Sequence, residues 1–403
     1  MAASSISSAA VLEVFLAFFR LGLTAFGGPI AHIACFRREF VERRAWLSEA
    51  RFAEFLALSQ FLPGPASSQL GFALGLMRAG WAGALAAFVA FTLPSAAMLI
   101  AFAGFAHSLD SPLGQALLHG LKLAALAVVA HAVMVMARQF CTDIPRILLA
   151  VAAAGIVLDS GQAWSQPAVI VLGGLMGWLL LAVPTGDRQR TGRSSSQAVR
   201  ASALFLLLFS LGLPCLVWLG QEGGGLWAVG AAFYQAGALV FGGGHVVLPL
   251  LNEAVVDTGW VSQETFLAGY GAAQMIPGPL FAFAAYLGAS LPGEMGGMTG
   301  ASVALLAIFL PGLLLVAGVV PFWSVLSASG WAMRALAGVN AAVVGILAAA
   351  LYQPLWTGTV TGWEDAVIAL VGWLMLARWR IAPLGVVAWC AVAACGMLYP
   401  EWL

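Results

Sequence analysis

Residues 60–65 read Gln-Phe-Leu-Pro-Gly-Pro and interrupt a long run of apolar residues. Such an interruption breaks a membrane helix, because proline removes a backbone hydrogen-bond donor and glycine loosens a helix. The same pattern returns at 274–279 as Gln-Met-Ile-Pro-Gly-Pro, 214 residues later. The sequence therefore predicts two broken helices and, from their likeness, an internal duplication.

Other matches follow at nearly the same spacing. Phe-Gly-Gly at 26–28 returns at 241–243, and Pro94 returns as Pro311. The apolar segment 201–219 has no counterpart in the first half. One extra crossing between two copies would turn the second copy over in the membrane. This arrangement is an inverted-topology repeat.

These matches predict three regions in the chain. Residues 1–183 form an N-terminal transmembrane repeat, and residues 184–225 form a basic cytoplasmic linker with one extra transmembrane helix. Residues 226–403 form the C-terminal inverted repeat.

The composition places the chain in a lipid bilayer. Hydrophobic residues make up 62% and charged residues 8%, against roughly a quarter charged in soluble domains. The 17 basic residues balance the 17 acidic ones, so we expect no surface for a nucleic acid. The predicted fold is an all-α polytopic membrane protein with the bilayer as its partner.

Thirteen segments are apolar enough to consider as membrane segments, and four of them are broken by glycine or proline. Either nine cross and the four broken ones re-enter, or all thirteen cross. We favour the first path, because basic residues collect in cytoplasmic loops and this path places fifteen of the seventeen there. The fifteen are Arg37, Arg38, Arg43, Arg44, Arg51, Arg78, Arg138, Arg146, Arg188, Arg190, Arg193, Arg200, Arg334, Arg378 and Arg380. Both paths predict an N-terminus inside the cell and a C-terminus outside it.

The two remaining basic residues, Arg20 and Lys122, lie inside apolar segments. A charge at bilayer depth costs about 2.5–3.5 kcal/mol, so something must compensate it. Both side chains could hold an anionic substrate in a polar cavity. Alternatively, they reach the interface on their long stems, or Arg20 pairs with Glu13. The repeat counterpart of Lys122 is the neutral Asn340.

The glycine and proline breaks suggest an anion site of their own. A helix that restarts after a break presents unpaired N–H groups and a positive dipole end. The alternative is that glycine and proline serve kinking and close packing. Four breaks in matched positions favour the site, with Ser59 and Ser67 as further donors. The candidate substrate-binding residues are Arg20, Thr24, Gly27, Gly28, Pro29, Gln60, Pro63, Gly64, Pro65, Lys122, Gly242, Gly243, Gly244, His245, Gln274, Pro277, Gly278, Pro279 and Asn340.

Other chemistry is weakly supported. His32 and His245 each follow a glycine break and could shuttle protons, but a hydrogen-bonded structural role is the more common one. Glu54 lies one turn from Arg51, which predicts an ion pair within the helix. The sequence shows no metal-ligand spacing, cofactor fingerprint or catalytic motif. We therefore expect no metal, no cofactor and no enzymatic activity.

Four motifs together carry a family resemblance. They are FGGP-x-x-H from Phe26 to His32, FGGGH from Phe241 to His245, and the two Q-x-x-PGP stretches. With them the chain resembles the chromate ion transporter family in its long two-domain form, over nearly its whole length. The resemblance implies an inner-membrane carrier that exports chromate, a sulfate-shaped dianion, and confers chromate resistance.

We expect transport by alternating access around a midplane oxyanion site. The alternatives are a carrier of another oxyanion such as sulfate, and a flippase for a lipid-linked phosphate. A membrane enzyme or a channel is a third alternative, but the sequence shows neither a catalytic nucleophile nor a clear ring of pore charges. The sequence leaves a homodimer open.

Overall fold

The structure is a computed structural model that describes residues 7–106, 111–160, 164–182, 196–327 and 329–397. These residues form helices and connecting turns, with no strand among them, so the all-α prediction is confirmed. The helices are α1 (Ser8–Thr24), α2 (Gly28–Arg37), α3 (Glu49–Phe61), α4 (Ala66–Ala106), α5 (Pro112–Phe140), α6 (Ile144–Ser160), α7 (Ser165–Leu180), α8 (Ser196–Gly223), α9 (Gly225–Leu239), α10 (Val247–Val255), α11 (Gln263–Ala273), α12 (Phe283–Ala289), α13 (Gly297–Val319), α14 (Trp323–Ser327), α15 (Gly330–Ala350), α16 (Thr357–Thr359), α17 (Trp363–Ala377) and α18 (Pro383–Gly396).

Five helical stretches are long and apolar enough to cross a membrane within the part of the chain that the structure describes. They are Ala66–Ala106, Pro112–Phe140, Val199–Gly223, Gly297–Phe322 and Gly330–Thr359. Shorter apolar helices accompany them at Ser165–Leu180, Leu280–Ala289 and Pro383–Gly396. The chain is thus a polytopic membrane protein.

All four predicted helix breaks are present. α1 ends before Gly27, whose φ of 98° is the left-handed conformation that glycine adopts without a Cβ clash. α3 and α11 end before the two Pro-Gly-Pro stretches. α9 ends before the glycines at 242–244, and a 3-10 turn (Gly244–Val246) then leads into α10.

Close packing of small residues repeats in the two halves. α4 turns at Ala79 and Gly80, and its two arms then meet at Gly75 and Gly83, where an added Cβ would overlap the opposite backbone. Gly288 and Gly300 make the same contact in the second half. Helices that must approach this closely in lipid use glycine at the contact.

The two Pro-Gly-Pro stretches join the halves through reciprocal backbone hydrogen bonds. The Gly64 N–H donates to the Val240 carbonyl at 2.7 Å, and the Gly278 N–H donates to the Ala25 carbonyl at 3.0 Å. Each carbonyl directly precedes the Phe-Gly-Gly stretch of the other half. Two copies related by a pseudo-twofold axis produce such an exchange.

Helix pairs are exchanged in the same reciprocal way. α5 of the first half packs on α17 and α18 of the second, whereas α15 of the second half packs on α6 and α7 of the first. Gly120 lies against Ala391, and its repeat counterpart Gly338 lies against Gly173 and Gly177. Part of the core of each half is therefore completed by helices of the other half.

The extra helix between the two repeats begins before the apolar segment 201–219. α8 begins at Ser196, five residues before the expected start of the extra helix, because residues 196–200 contain no glycine or proline to stop it. Residues 183–195, which include Arg188, Arg190 and Arg193, lie outside the described residues. α8 packs on α9 and α13 and exposes Leu204, Leu207 and Leu211.

Candidate functional site

A cavity of about 840 Å³ lies between the two halves. Its walls come from the start of α2, the end of α3, the second half of α5, the glycine break after α9, the end of α11, and parts of α14, α15 and the α17–α18 connection. It reaches the surface beside the exposed side chains of Arg138, Gln139 and Arg380. A cavity at a repeat interface lined by broken helices is typical of transporter substrate sites.

Two helix N-termini meet in this cavity. Gly27, Gly28 and Pro29 at the start of α2 line it, and no side chain caps this end of α2. Gly243 and Gly244 line it from the other half. A Cβ added at Gly244 would lie 3.3 Å from Pro29 Cγ, so the two breaks are in contact. Each N-terminus contributes about half a positive charge, so together they favour an anion.

The charged side chains of the cavity wall are all basic. Arg138 and Arg380 line it from α5 and from the α17–α18 connection, and neither forms an ion pair with a described carboxylate. Among the described residues, no aspartate or glutamate lines the cavity. A cavity with two unneutralised guanidinium groups and no carboxylate attracts anions.

Several polar side chains face the cavity with unused hydrogen-bonding atoms. His131 and Asn340 line it, and His131 Nδ1 and Asn340 Oδ1 are buried without a partner in the described part of the chain. Asn340 is 7% exposed. The amide oxygen and nitrogen of an asparagine can exchange places, so Asn340 can offer a donor there. A bound oxyanion would satisfy groups that otherwise cost about 1–3 kcal/mol each.

His245 connects the cavity to helix α11. Its side chain lines the cavity, and Nδ1 lies 2.8 Å from the hydroxyl oxygen of the fully buried Tyr270. Gln274, one turn after Tyr270, also lines the cavity.

The structure brings eleven of the nineteen candidate residues together in this cavity. They are Gly27, Gly28, Pro29, Gln60, Gly64, Gly242, Gly243, Gly244, His245, Gln274 and Asn340. The other eight do not line it, and they are Pro63, Pro65, Pro277, Gly278, Pro279, Arg20, Thr24 and Lys122. The Gly64 and Gly278 amides bind the opposite half, so they are not free to hold an anion.

The two membrane-embedded charges have different surroundings. Arg20 is exposed on α1, and Thr24 donates its hydroxyl proton to the Arg20 carbonyl at 2.8 Å. The suggested Arg20–Glu13 pair is wrong, because Glu13 instead accepts from Arg44 at 3.3 Å and from Arg78 at 2.8 Å. Lys122 pairs with Glu264 at 3.0 Å, away from the cavity.

Two structural expectations are confirmed. His32 is buried and lies within hydrogen-bonding distance of the Ala25 carbonyl, at 3.2 Å, and of Ser67 Oγ, at 3.4 Å. Arg51 and Glu54 form an ion pair of 2.6 Å within α3. Ser59 lines the cavity, but its hydroxyl donates to the Phe55 carbonyl.

Sequence reasoning missed His131, Arg138 and Arg380 as cavity residues. A signal existed for two of them, since Val128, His131, Val135 and Arg138 lie at helical spacing on one face of α5. Arg380 carried no such signal, because it follows α17 and only the tertiary fold brings it to the cavity.

Comparison with known proteins identifies the family. The sequence profile described as "Chromate transporter" matches twice, at residues 12–178 and 227–397. The chain is 31% identical over 340 residues to a probable chromate transport protein of Synechococcus elongatus, covering 83% of this chain and 82% of that protein.

Two further relatives carry the name chromate transport protein. One, from Cupriavidus metallidurans, is 29% identical over 378 residues, which are 91% of this chain and 88% of the relative. The other, from Pseudomonas aeruginosa, is 29% identical over 304 residues, which are 74% and 70%. No solved structure matches the chain significantly. The twofold profile match and the relatives show that this chain belongs to the chromate transporter family.

Proposed function

We propose that the chain exports chromate from the cytoplasm by alternating access, with the anion held in the cavity between the halves. The observation that carries this proposal is the positive charge of the cavity wall, which comes from Arg138, Arg380 and two helix N-termini, with no carboxylate among the described residues. The names of the relatives support chromate as the substrate.

The arginine-lined opening faces the cytoplasm in this proposal. Arg138 and Arg380 belong to the basic residues that the positive-inside rule assigns to the cytoplasmic face. They would concentrate a dianion at the opening, and the glycine breaks and Asn340 would receive it deeper in the cavity. In this proposal the two halves are inverted repeats, and the bacterial inner membrane is the bilayer that they span.

The direction of transport follows from the membrane potential. With the cell interior negative, each negative charge that moves outward releases about 2.3 kcal/mol per 100 mV, so a dianion releases about 4.6. Export therefore needs no second ion. The reverse movement would have to be coupled to another gradient.

Chromate flux in proteoliposomes tests this function. We expect the purified protein to move chromate under an imposed potential and unlabelled sulfate to compete for the same cavity. Arg138→Gln and Arg380→Gln should each weaken transport and reduce its dependence on ionic strength, because the arginines attract the anion over a distance.

Arg200→Gln is the matched control, since Arg200 is an exposed arginine on α8 that does not line the cavity. Flux that is unchanged in both cavity variants, or reduced equally in the control, would contradict the proposed site.

A further inference from the structure

α11 lies directly on the part of α5 that is far from the arginine opening, and we call this the closed end. Gly271 of α11 touches the backbone of α5 so closely that an added Cβ would overlap the Leu121 carbonyl oxygen. One residue further along α5, Lys122 Nζ lies 3.0 Å from a carboxylate oxygen of Glu264. The Lys122 side chain is 12% exposed and the Glu264 side chain 61%, so the carboxylate covers a largely buried cation.

The repeat counterparts of these residues line the open cavity. Ala57 of α3 corresponds to Gly271, and Asn340 of α15 corresponds to Lys122. Both line the cavity, which separates α3 from α15. The same pair of helix positions is therefore in contact at one end of the molecule and apart at the other.

The charges at the two ends differ as well. Glu264, the partner of Lys122, corresponds to Ala50 in the first half. The arginine end therefore has no carboxylate at the equivalent position. Among the described residues, an ion pair joins the two helices at the closed end and none joins α3 to α15. If the open and closed ends exchange conformations, Lys122 will come to line a cavity as Asn340 does here, and its ion pair must break.

We infer that Lys122 and Glu264 form an electrostatic lock on the closed end, and that Lys122 exchanges the Glu264 carboxylate for the transported oxyanion when this end opens. The second half of this inference rests on the proposed function, whereas the lock itself does not. Separating the ion pair without a replacement leaves a largely buried ammonium group uncompensated. A dianion in the cavity supplies that replacement, so occupancy favours opening.

Two cysteine reporters measure which end is open. Ala268→Cys lies on α11 one turn after Glu264 and one turn before Gly271, at a position that is 3% exposed. Ala57→Cys lies on the cavity wall. Each is placed in a protein whose five native cysteines, all free, are replaced by alanine. Sealed vesicles are then treated with a membrane-impermeant maleimide from either side in turn.

We expect Ala57→Cys to react and Ala268→Cys to be protected when Glu264 is present. Glu264→Gln should raise the reaction rate of Ala268→Cys about tenfold, which corresponds to about 1.4 kcal/mol, and lower that of Ala57→Cys. The exchanged pair Lys122→Glu with Glu264→Lys should restore protection. Sulfate should raise the Ala268→Cys rate in the protein with Lys122 but not in Lys122→Gln.

Glu294→Gln is the matched control, because Glu294 is an exposed carboxylate of the same half without an ion pair to a described residue. An Ala268→Cys rate that Glu264→Gln leaves unchanged, or that the control raises equally, overturns the lock. A rate that sulfate does not change overturns the exchange.

Hydrogen exchange of the α11 amides, with native cysteines in place, gives the same comparison if a cysteine variant does not fold. Labelling needs no chromate flux, so failure of the proposed function is distinguishable from failure of the lock.

Discussion

Helices α3 and α11 occupy equivalent places in the two halves but differ in what they contact. Each begins at a serine whose hydroxyl accepts a backbone N–H, Ser48 for α3 and Ser262 for α11. Each leads into a Pro-Gly-Pro break. Yet α11 lies on α5, whereas α3 packs on α4 and borders the cavity.

The ion pairs of these two helices show what separates them. Arg51 and Glu54 pair within α3, and Glu49 at the start of α3 pairs with Arg37 of α2 at 2.7 Å, so neither pair joins α3 to α15. Glu264 of α11 pairs with Lys122 of α5, so that attraction joins two helices. The duplicated helices are thus found in two different contacts, and in the proposed lock the ion pair to α5 favours the contact that α11 makes.

Cross-linking α3 to α15 should abolish transport. Ala57→Cys and Leu336→Cys line the cavity from α3 and α15, and a bifunctional maleimide can join them. We expect the cross-linked protein to transport chromate no faster than protein-free vesicles, because the open end can no longer exchange with the closed one. Chromate should still bind from the open side.

Each single cysteine treated with the same reagent is the control for this experiment. Substantial flux after complete cross-linking would show that α3 and α15 need not move relative to each other.

Valine substitutions at two equivalent positions should have unequal effects on stability. Gly271→Val forces a side chain into the Leu121 carbonyl and should lower the free energy of unfolding by about 1–3 kcal/mol. Ala57→Val extends a side chain into the cavity and should change the free energy of unfolding little. Thermal unfolding of the two purified variants measures the difference, and equal midpoints would contradict it.

The smallest effect is expected at the α3 ion pair. Glu54→Gln removes an exposed pair within one helix, which contributes about 0.2–0.5 kcal/mol. Reporter labelling at both ends and chromate flux should stay at the level of the unmodified protein. Arg51→Gln, which removes the other partner of the same pair, is the matched variant. If labelling shifts as it does in Glu264→Gln, the Arg51–Glu54 pair also affects which end is open, and the proposed difference between the two pairs is wrong.

Much of the fold follows from local sequence. Glycine and proline act on the backbone wherever they occur, so the four helix breaks and the tight turn near Gly80 were predictable from residue type. The apolar composition predicted a helical membrane protein, because each backbone N–H and C=O group in lipid must form its hydrogen bond within the protein.

The site was predictable only in part. The glycine breaks could be predicted as site residues because every helix start has a positive dipole end that favours an anion. Arg380 did not stand out, because its role depends on α18 folding back across α5 of the other half. Lys122 resembled a ligand in sequence but meets Glu264, which lies 142 residues further along the chain.

The reciprocal bonds from Gly64 to Val240 and from Gly278 to Ala25 set a limit on how this chain can be divided. If the two repeats were synthesised as separate polypeptides, each would reach the lipid with a buried amide and a buried carbonyl that only the other can satisfy. The pieces would have to associate before either was complete. Joining them in one chain guarantees that association at any expression level.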